Sequence, residues 1–248
     1  MISPQKPSSS SNLRLTTIPS GGLALVFGAT GGIGQALAME LGDDAGFVSV
    51  INCSRSGEFA FDLTSEESIS ALAEKVKLYG TDIRLVIDAT GVLGDEGCIA
   101  EKTWRQLDPS AMARAFAINA IGPALVMKHF LPLLPRAGKC VFATLSAHVG
   151  SIGDNQLGGW YSYRASKAAL NQLMRSAAIE LHRSSPEAIC VAVHPGMVNT
   201  RLAKYYARTG VEIQPPELAA VRILSMIDKL TPEDSGQFMD YRGQRVPW

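Results

Sequence analysis

A doubly wound α/β domain, one parallel sheet with helices on both faces, is the fold class this sequence predicts. Three observations predict it. Short continuous apolar runs recur along the chain, as expected of strands buried on both faces. Stretches with helical apolar spacing separate them, and right-handed crossovers place such helices on both sides of a parallel sheet. Finally, the first apolar run opens into the turn Gly28-Ala29-Thr30-Gly31-Gly32-Ile33-Gly34, a junction suited to passing from strand to helix.

The elements follow in order. Residues 1–21 are read as a poorly packed N-terminal tail, because positions 3–20 are rich in Ser, Thr and Pro and hold no acidic side chain. A secretory-type hydrophobic segment is missing there, so a targeting peptide is the weaker reading. Residues 22–248 then form one domain, with 46% hydrophobic content over the 248-residue chain to supply its core. The first strand is Leu23-Ala-Leu-Val-Phe27. The helix after it, 33–41, carries Ile33, Leu37 and Leu41 on one side. Further strands are predicted over 47–53, 83–88, 140–145, 189–193 and 237–241. Helices are predicted over 65–79, 110–134, 159–182 and 216–229, with a short one at 103–107.

In such sheets ligands lie beyond the carboxyl ends of the strands. Gly28, Gly91, Ser146 and Pro195 each follow a predicted strand, so the fold would gather them. A phosphate can approach a helix N-terminus when nothing protrudes, because free N–H groups and the dipole attract it. Gly28 suits the tight turn, Gly32 the close approach and Gly34 the packing of helix on strand. After the second strand, Asn52-Cys53-Ser54-Arg55 offers no carboxylate for ribose hydroxyls. Ser54 and Arg55 are instead candidates to hold a 2′-phosphate, which predicts NADP(H) over NAD(H).

Tyr163-Arg-Ala-Ser-Lys167 supplies the chemistry. A free phenol has a pKa near 10, too high for efficient proton exchange at neutral pH, and a nearby cation lowers it. Residues i and i+4 share a helix face, so Lys167 lies one turn from Tyr163. Tyr161 is a rival, but its i+4 partner is Ala165. Asn119 stands in an otherwise apolar helical stretch, where a buried amide needs partners.

These stations resemble the short-chain dehydrogenase/reductase family. They are the glycine turn, Asp62-Leu63, Asp88-Ala89-Thr90-Gly91, Asn119, Ser146, Tyr163 with Lys167, and Pro195-Gly196-x-x-x-Thr200. From Val149 through Asn155, Gly158-Gly159 and Tyr161 to Asn171 the chain is similar to C-factor-like and sniffer-like carbonyl reductases. Phe27 replaces the family's usual Thr, and Asp88-Ala89-Thr90 replaces Asn-Asn-Ala. The resemblance implies a Rossmann-type domain that transfers hydride between a nicotinamide dinucleotide and a small carbonyl or alcohol. It implies Tyr163, Lys167, Ser146 and Asn119 as the catalytic set, with Asn119 opening its helix to hold a relay water. It implies Gly28, Thr30, Gly31, Gly32, Ile33, Gly34, Asp62, Leu63, Ala89, Gly91, Tyr163, Lys167, Pro195, Gly196, Val198 and Thr200 at the cofactor, beside Ser54 and Arg55. A homodimer or homotetramer is expected, as is closure of residues 201–214 over the substrate.

The family's substrate-orienting serine falls three residues before a glycine. Counting back from Gly150 reaches Ala147, so Ser146, one residue earlier, is the candidate and Ser151 the second. That departure keeps a second class open, a nucleotide-binding signalling or regulatory protein with little turnover. A methyltransferase would leave Tyr163 and Lys167 unexplained.

Zero formal net charge and the lack of a basic block argue against nucleic acid and acidic membranes as partners. No apolar stretch is read as approaching a membrane span. Cys53, Cys98, Cys140 and Cys190 lie apart, which suits a reducing compartment and a cytoplasmic location. The four histidines lack metal-ligand spacing, and no catalytic metal is expected.

Overall fold

The structure is a computed structural model that describes residues 14–94, 100–200 and 213–248. Its strands are β1 (Gly22–Phe27), β2 (Phe47–Ser54), β3 (Phe59–Ala60), β4 (Ile83–Asp88), β5 (Cys140–Leu145), β6 (Ala188–His194) and β7 (Phe238–Asp240). They form one seven-stranded parallel sheet in the order β3-β2-β1-β4-β5-β6-β7. The order reverses between β1 and β4, which opens a crevice at their carboxyl ends. The expected fold class is the one observed.

Side-chain alternation along the strands divides the core into two layers. Leu23, Leu25 and Phe27 face one layer, with residues of α2 (Glu66–Lys77), α4 (Gly122–Phe130) and α5 (Tyr161–His182). Ala24 and Val26 face the other, with α1 (Gly32–Gly42) and α6 (Pro216–Lys229). Phe27, at the position where the family carries Thr, meets Phe61 and Phe130 edge-on, with centroids 5.3 and 4.9 Å away. The lost hydroxyl is thereby exchanged for an aromatic cluster.

Several expectations are corrected. β3 is only two residues long, too short to carry a period-2 signal. The helix expected over 110–134 is α3 (Pro109–Phe116), a π-helical turn (Ala117–Ile121), α4 and a short 3-10 turn (Leu131–Leu133). As a whole, Pro109–Leu133 is 25 residues long with a mean hydropathy of 1.3, so the chain does hold a helix of membrane-spanning length. Here it packs against α2 and α5 within the domain. The helix expected from residue 159 starts at Tyr161, because Gly158, Gly159 and Trp160 all have positive φ. The segment 103–107 holds a single 3-10 turn, Trp104–Gln106.

Residues 14–21 of the expected tail are packed rather than loose. Leu15 and Ile18 are buried in the α1–α6 layer. The Leu15 N–H donates to Asp44, and Thr16 and Thr17 both bond Asp228 on α6. Residues 1–13 lie outside the described residues.

Candidate active site

The glycine turn is built by contact as well as by conformation. Gly28 has φ +76°, and a Cβ there would lie 3.0 Å from the Ala89 carbonyl oxygen. The turn therefore nests against the strand end of β4, where the Ala89 N–H donates to the Phe27 carbonyl at 3.0 Å. A Cβ on Gly34 would come within 2.2 Å of the Gly28 carbonyl oxygen, so α1 sits directly on the turn. Gly31 is the N-cap of α1 without a side-chain cap, which leaves the Gly32, Ile33 and Gly34 amides at a bare helix start. Thr30 is exposed at the same place.

The station after β6 closes on this turn. A Cβ on Gly32 would be 2.8 Å from Cγ2 of Thr200. Gln214 holds the segment: its side-chain amide donates to the Pro195 carbonyl at 2.7 Å, and its backbone pairs with Met197 and Asn199. Val198 is buried, and a Cβ on Gly196 would come within 2.7 Å of the Gln214 amide and 2.8 Å of Cε1 of Tyr241. Residues 201–212 of the expected substrate loop lie outside the described residues, as does Cys98. Ile213 and Gln214 belong to the pinned end.

At the far edge, Arg55, Ala60, Phe61, Asp62 and Ser68 line a hollow of about 430 Å³. Arg55, the residue read as a candidate for a 2′-phosphate, is one of its lining residues. Ser54 is not: it is buried, and its hydroxyl donates to the Ser56 carbonyl at 2.6 Å. Asp62 accepts from the Thr64 N–H and hydroxyl at 2.8 and 2.7 Å, bonds that hold its carboxyl below the usual range. Leu63 packs on Gly122 just past the π-helical turn.

That π-helical turn displays Asn119. Fully buried, its amide accepts from the Val92 N–H and donates to the Val92 carbonyl, and also reaches Ser166 at 3.1 Å. Ser166 in turn donates to the Tyr163 carbonyl at 2.9 Å. Gly91, with φ +153°, leaves room where a Cβ would sit 3.3 Å from both Asn119 Oδ1 and Lys167 Nζ. The Lys167 ammonium donates to the Leu145 carbonyl at 2.8 Å and lies 6.0 Å from the Tyr163 ring centroid. Burial pushes the Lys167 amine down to about 8, against the pull of the Asp88 carboxylate. Asp88 is itself buried, accepting from Thr90 and Thr144, and burial raises its carboxyl. The site thus has a carboxylate that no sequence signal flagged beyond its replacing the family's Asn.

The serines fall unequally. Ser146 is buried and its hydroxyl donates to Asn171 Oδ1 at 2.6 Å, toward α5. Among the described residues, Asn171 Nδ2 is left as a buried side-chain nitrogen without a partner. Ser151 Oγ accepts from the Asp154 N–H at 3.1 Å, a contact that does not use its own proton. Trp248 stacks on Phe238, while Trp160 sits at the N-cap of α5.

Fold and site together define a dinucleotide-binding α/β domain with a buried lysine and a tyrosine on one helix face. The family model for short chain dehydrogenases matches residues 22–209, and the chain belongs to that family. It is 34% identical over 236 residues to a 1-hydroxy-2-glutathionyl-2-methyl-3-butene dehydrogenase of Rhodococcus sp., covering 90% of this chain and 98% of that one. It is 41% identical over 144 residues to the C-signal protein of Myxococcus xanthus, covering 57% of this chain and 81% of that one. An NADPH-bound carbonyl reductase from chicken fatty liver superposes with a TM-score of 0.79 at 26% identity, covering 94% of this chain and 97% of that one.

Proposed function

We propose that this oxidoreductase is an NADP(H)-dependent carbonyl reductase or secondary-alcohol dehydrogenase acting on a small molecule in the cytoplasm. The observation that carries this reading is the convergence of Tyr163, Lys167, Asn119 and Gly91 at the carboxyl ends of β4 and β5. The residues present fit a dinucleotide: side-chain-free backbone at Gly31, Gly32 and Gly34 for the pyrophosphate, and Arg55 beside a hollow at the edge for a 2′-phosphate. Asp62, Leu63 and Ala89 would flank the adenosine, and Pro195, Gly196, Val198 and Thr200 the nicotinamide. When bound, that group supplies or accepts hydride.

The chain's own residues handle the proton. Tyr163 would give its proton to the carbonyl oxygen in reduction and take one from the alcohol in oxidation. Lys167, charged below about 8, favours the phenolate. Asn119 holds the Gly91–Val92 turn beside that ammonium. Ser151 is the better donor to the substrate oxygen, since the Ser146 proton goes to Asn171. That same commitment of Ser146, together with the likeness to the C-signal protein, favours as the second reading a nucleotide-binding regulatory protein with little turnover. A homodimer or homotetramer remains the expected assembly.

Titration with NADPH and NADH, followed by nicotinamide fluorescence in wild type and Arg55→Ala, tests the reading. Losing a charged partner to the 2′-phosphate should weaken NADPH about tenfold or more and leave NADH unchanged. A carbonyl screen with Tyr163→Phe as blank separates the enzyme from the regulator. Absence of binding by either nucleotide would sink the proposal.

A further inference from the structure

The helix that carries Tyr163 and Lys167 begins without a cap of its own. Its N-cap residue, Trp160, is in the left-handed region (φ 52°, ψ 43°), and no side chain at that position bonds the first turn. A non-glycine residue adopts this conformation at a cost and persists in it only where its surroundings dictate it. Gly158 and Gly159 lead into it, also with positive φ. The first turn thus depends on something outside the helix.

That support is Glu101, 61 positions before Ser162 in the chain and only 7% exposed. One of its carboxylate oxygens accepts the Ser162 hydroxyl proton, and the other accepts from the Ser162 N–H at 3.3 Å. Its backbone carbonyl accepts from the Trp160 N–H. A Cβ on Gly159 would stand 3.4 Å from that same carbonyl, so the segment lies close along the turn. Arg164 ties down the other side, its guanidinium donating to the Gly158, Gly159 and Val149 carbonyls at 3.2, 3.0 and 3.2 Å. A carboxylate suits this place, where orphan N–H groups and the positive end of the helix meet. Residues on both sides of Tyr163 are therefore gripped, Trp160 and Ser162 by Glu101 and Arg164 by the loop carbonyls.

We propose that Glu101 is a positioning residue for Tyr163, acting through Ser162 to set where the phenol stands relative to Lys167. The inference rests on the oxidoreductase reading above. A buried carboxylate serving as a cap from a distant segment is more than the fold requires, since helix starts are commonly capped by a neighbouring Ser, Thr, Asp or Asn. It fixes the one turn whose displacement would move the phenol, and misplacing a reacting group by about 1 Å can cost 100-fold in rate.

The test uses the full chain as wild type, Glu101→Ala, Glu101→Gln and Ser162→Ala, with Tyr163→Phe as blank. A secondary alcohol oxidised by the wild type serves as substrate. Glu101→Ala should lower kcat about 10- to 100-fold while NADPH affinity stays within about twofold. Glu101→Gln, which keeps the shape and an acceptor oxygen, should hold kcat within about threefold. In oxidation the rate rises with pH as the general base loses its proton. A phenol moved away from Lys167 shifts that limb up in pH, whereas mere loss of the Glu101 charge shifts it down. An upward shift in Glu101→Ala supports positioning, and a downward one overturns it. Unchanged kcat in Glu101→Ala, with only the melting temperature lowered, also overturns it. Where Glu101→Ala does not fold, Ser162→Ala decides, since kcat within about twofold of wild type would then refute the proposal. Failure of the underlying reading shows separately: the wild type itself would bind no nicotinamide dinucleotide and oxidise no alcohol, which removes the proposal with it.

Discussion

Asn119 and Val92 pair through two hydrogen bonds of 2.8 Å each, the side-chain amide satisfying both backbone groups of a residue 27 positions away. This is peptide-like pairing made by a side chain, and it closes the turn after β4. Asn119→Ala leaves two part-buried backbone groups without these partners. Each bond is worth about 0.5–1.5 kcal/mol, so unfolding free energy should fall by roughly 1–3 kcal/mol in urea titration. A loss under about 0.5 kcal/mol would mean that water replaces the amide.

Asp88 and Lys167 make a separate prediction about pH. Burial lowers the lysine to about 8, and the Asp88 carboxylate opposes that effect. Below this value the ammonium is charged, and the charge is lost as pH rises through it. Asp88→Asn removes the opposing carboxylate, so neutral lysine should appear at lower pH. The alkaline limb of kcat/KM for carbonyl reduction should move down by about one unit, since a nearby opposite charge is worth that much or more. A pH–rate profile that keeps its wild-type alkaline limb would remove Asp88 from the chemistry.

The glycine turn predicts a steep contrast. Gly34→Ala drives a methyl group to within 2.2 Å of a backbone carbonyl, which cannot move without shifting β1 from α1. Gly32→Ala meets side-chain atoms instead, the Thr200 methyl at 2.8 Å and its Cβ at 3.3 Å, and a side chain can yield. Gly34→Ala should cost about 3 kcal/mol or more, or abolish folding, while Gly32→Ala should keep the melting temperature close to wild type. The second variant should instead weaken NADPH binding, read by fluorescence.

His194 sets an acid limb of stability. Burial and the neighbouring His148 push its imidazole down to about 4. The unfolded chain then binds a proton, near its ordinary value of 6.5, that the folded protein refuses until about 4. Stability is full above the unfolded value and falls as pH drops through this window, by up to about 3 kcal/mol. Thermal unfolding between pH 7 and 4 should show the decline, and His194→Asn should flatten it.

Most of the sheet was legible because its strands are continuous apolar runs, and β1, β4 and β5 begin within a residue of their expected limits. The start of α5 was not, since Trp160 carries no local sign of a left-handed backbone, and its N–H donates to Glu101, a residue far away in the sequence. The π-helical turn breaks no hydrophobic period, and Asn119 was its single visible mark. Tyr163 and Lys167 were readable from spacing along one helix. The surroundings of Ser146 were not readable: nothing in the spacing showed that its hydroxyl bonds Asn171 on α5, because a one-residue offset in an extended segment reverses a side chain's face. Ser54 followed the same rule, pointing inward while Arg55 pointed out.

The strand order also dictates a sequence of events at the ribosome. β1, whose last residue is Phe27, precedes the other described strands in the chain yet lies in the interior of the sheet, between β2 and β4. Its partner on one side follows within one crossover, but β4 ends only at Asp88, and β5 and β6 come later still. A nascent chain that has paired β1 with β2 therefore holds an open, wholly apolar strand edge while tens of further residues emerge. Such edges are templates for wrong pairing, and parallel sheets close slowly. At about 5–20 residues per second the exposure lasts seconds, long enough for chaperones to act on it.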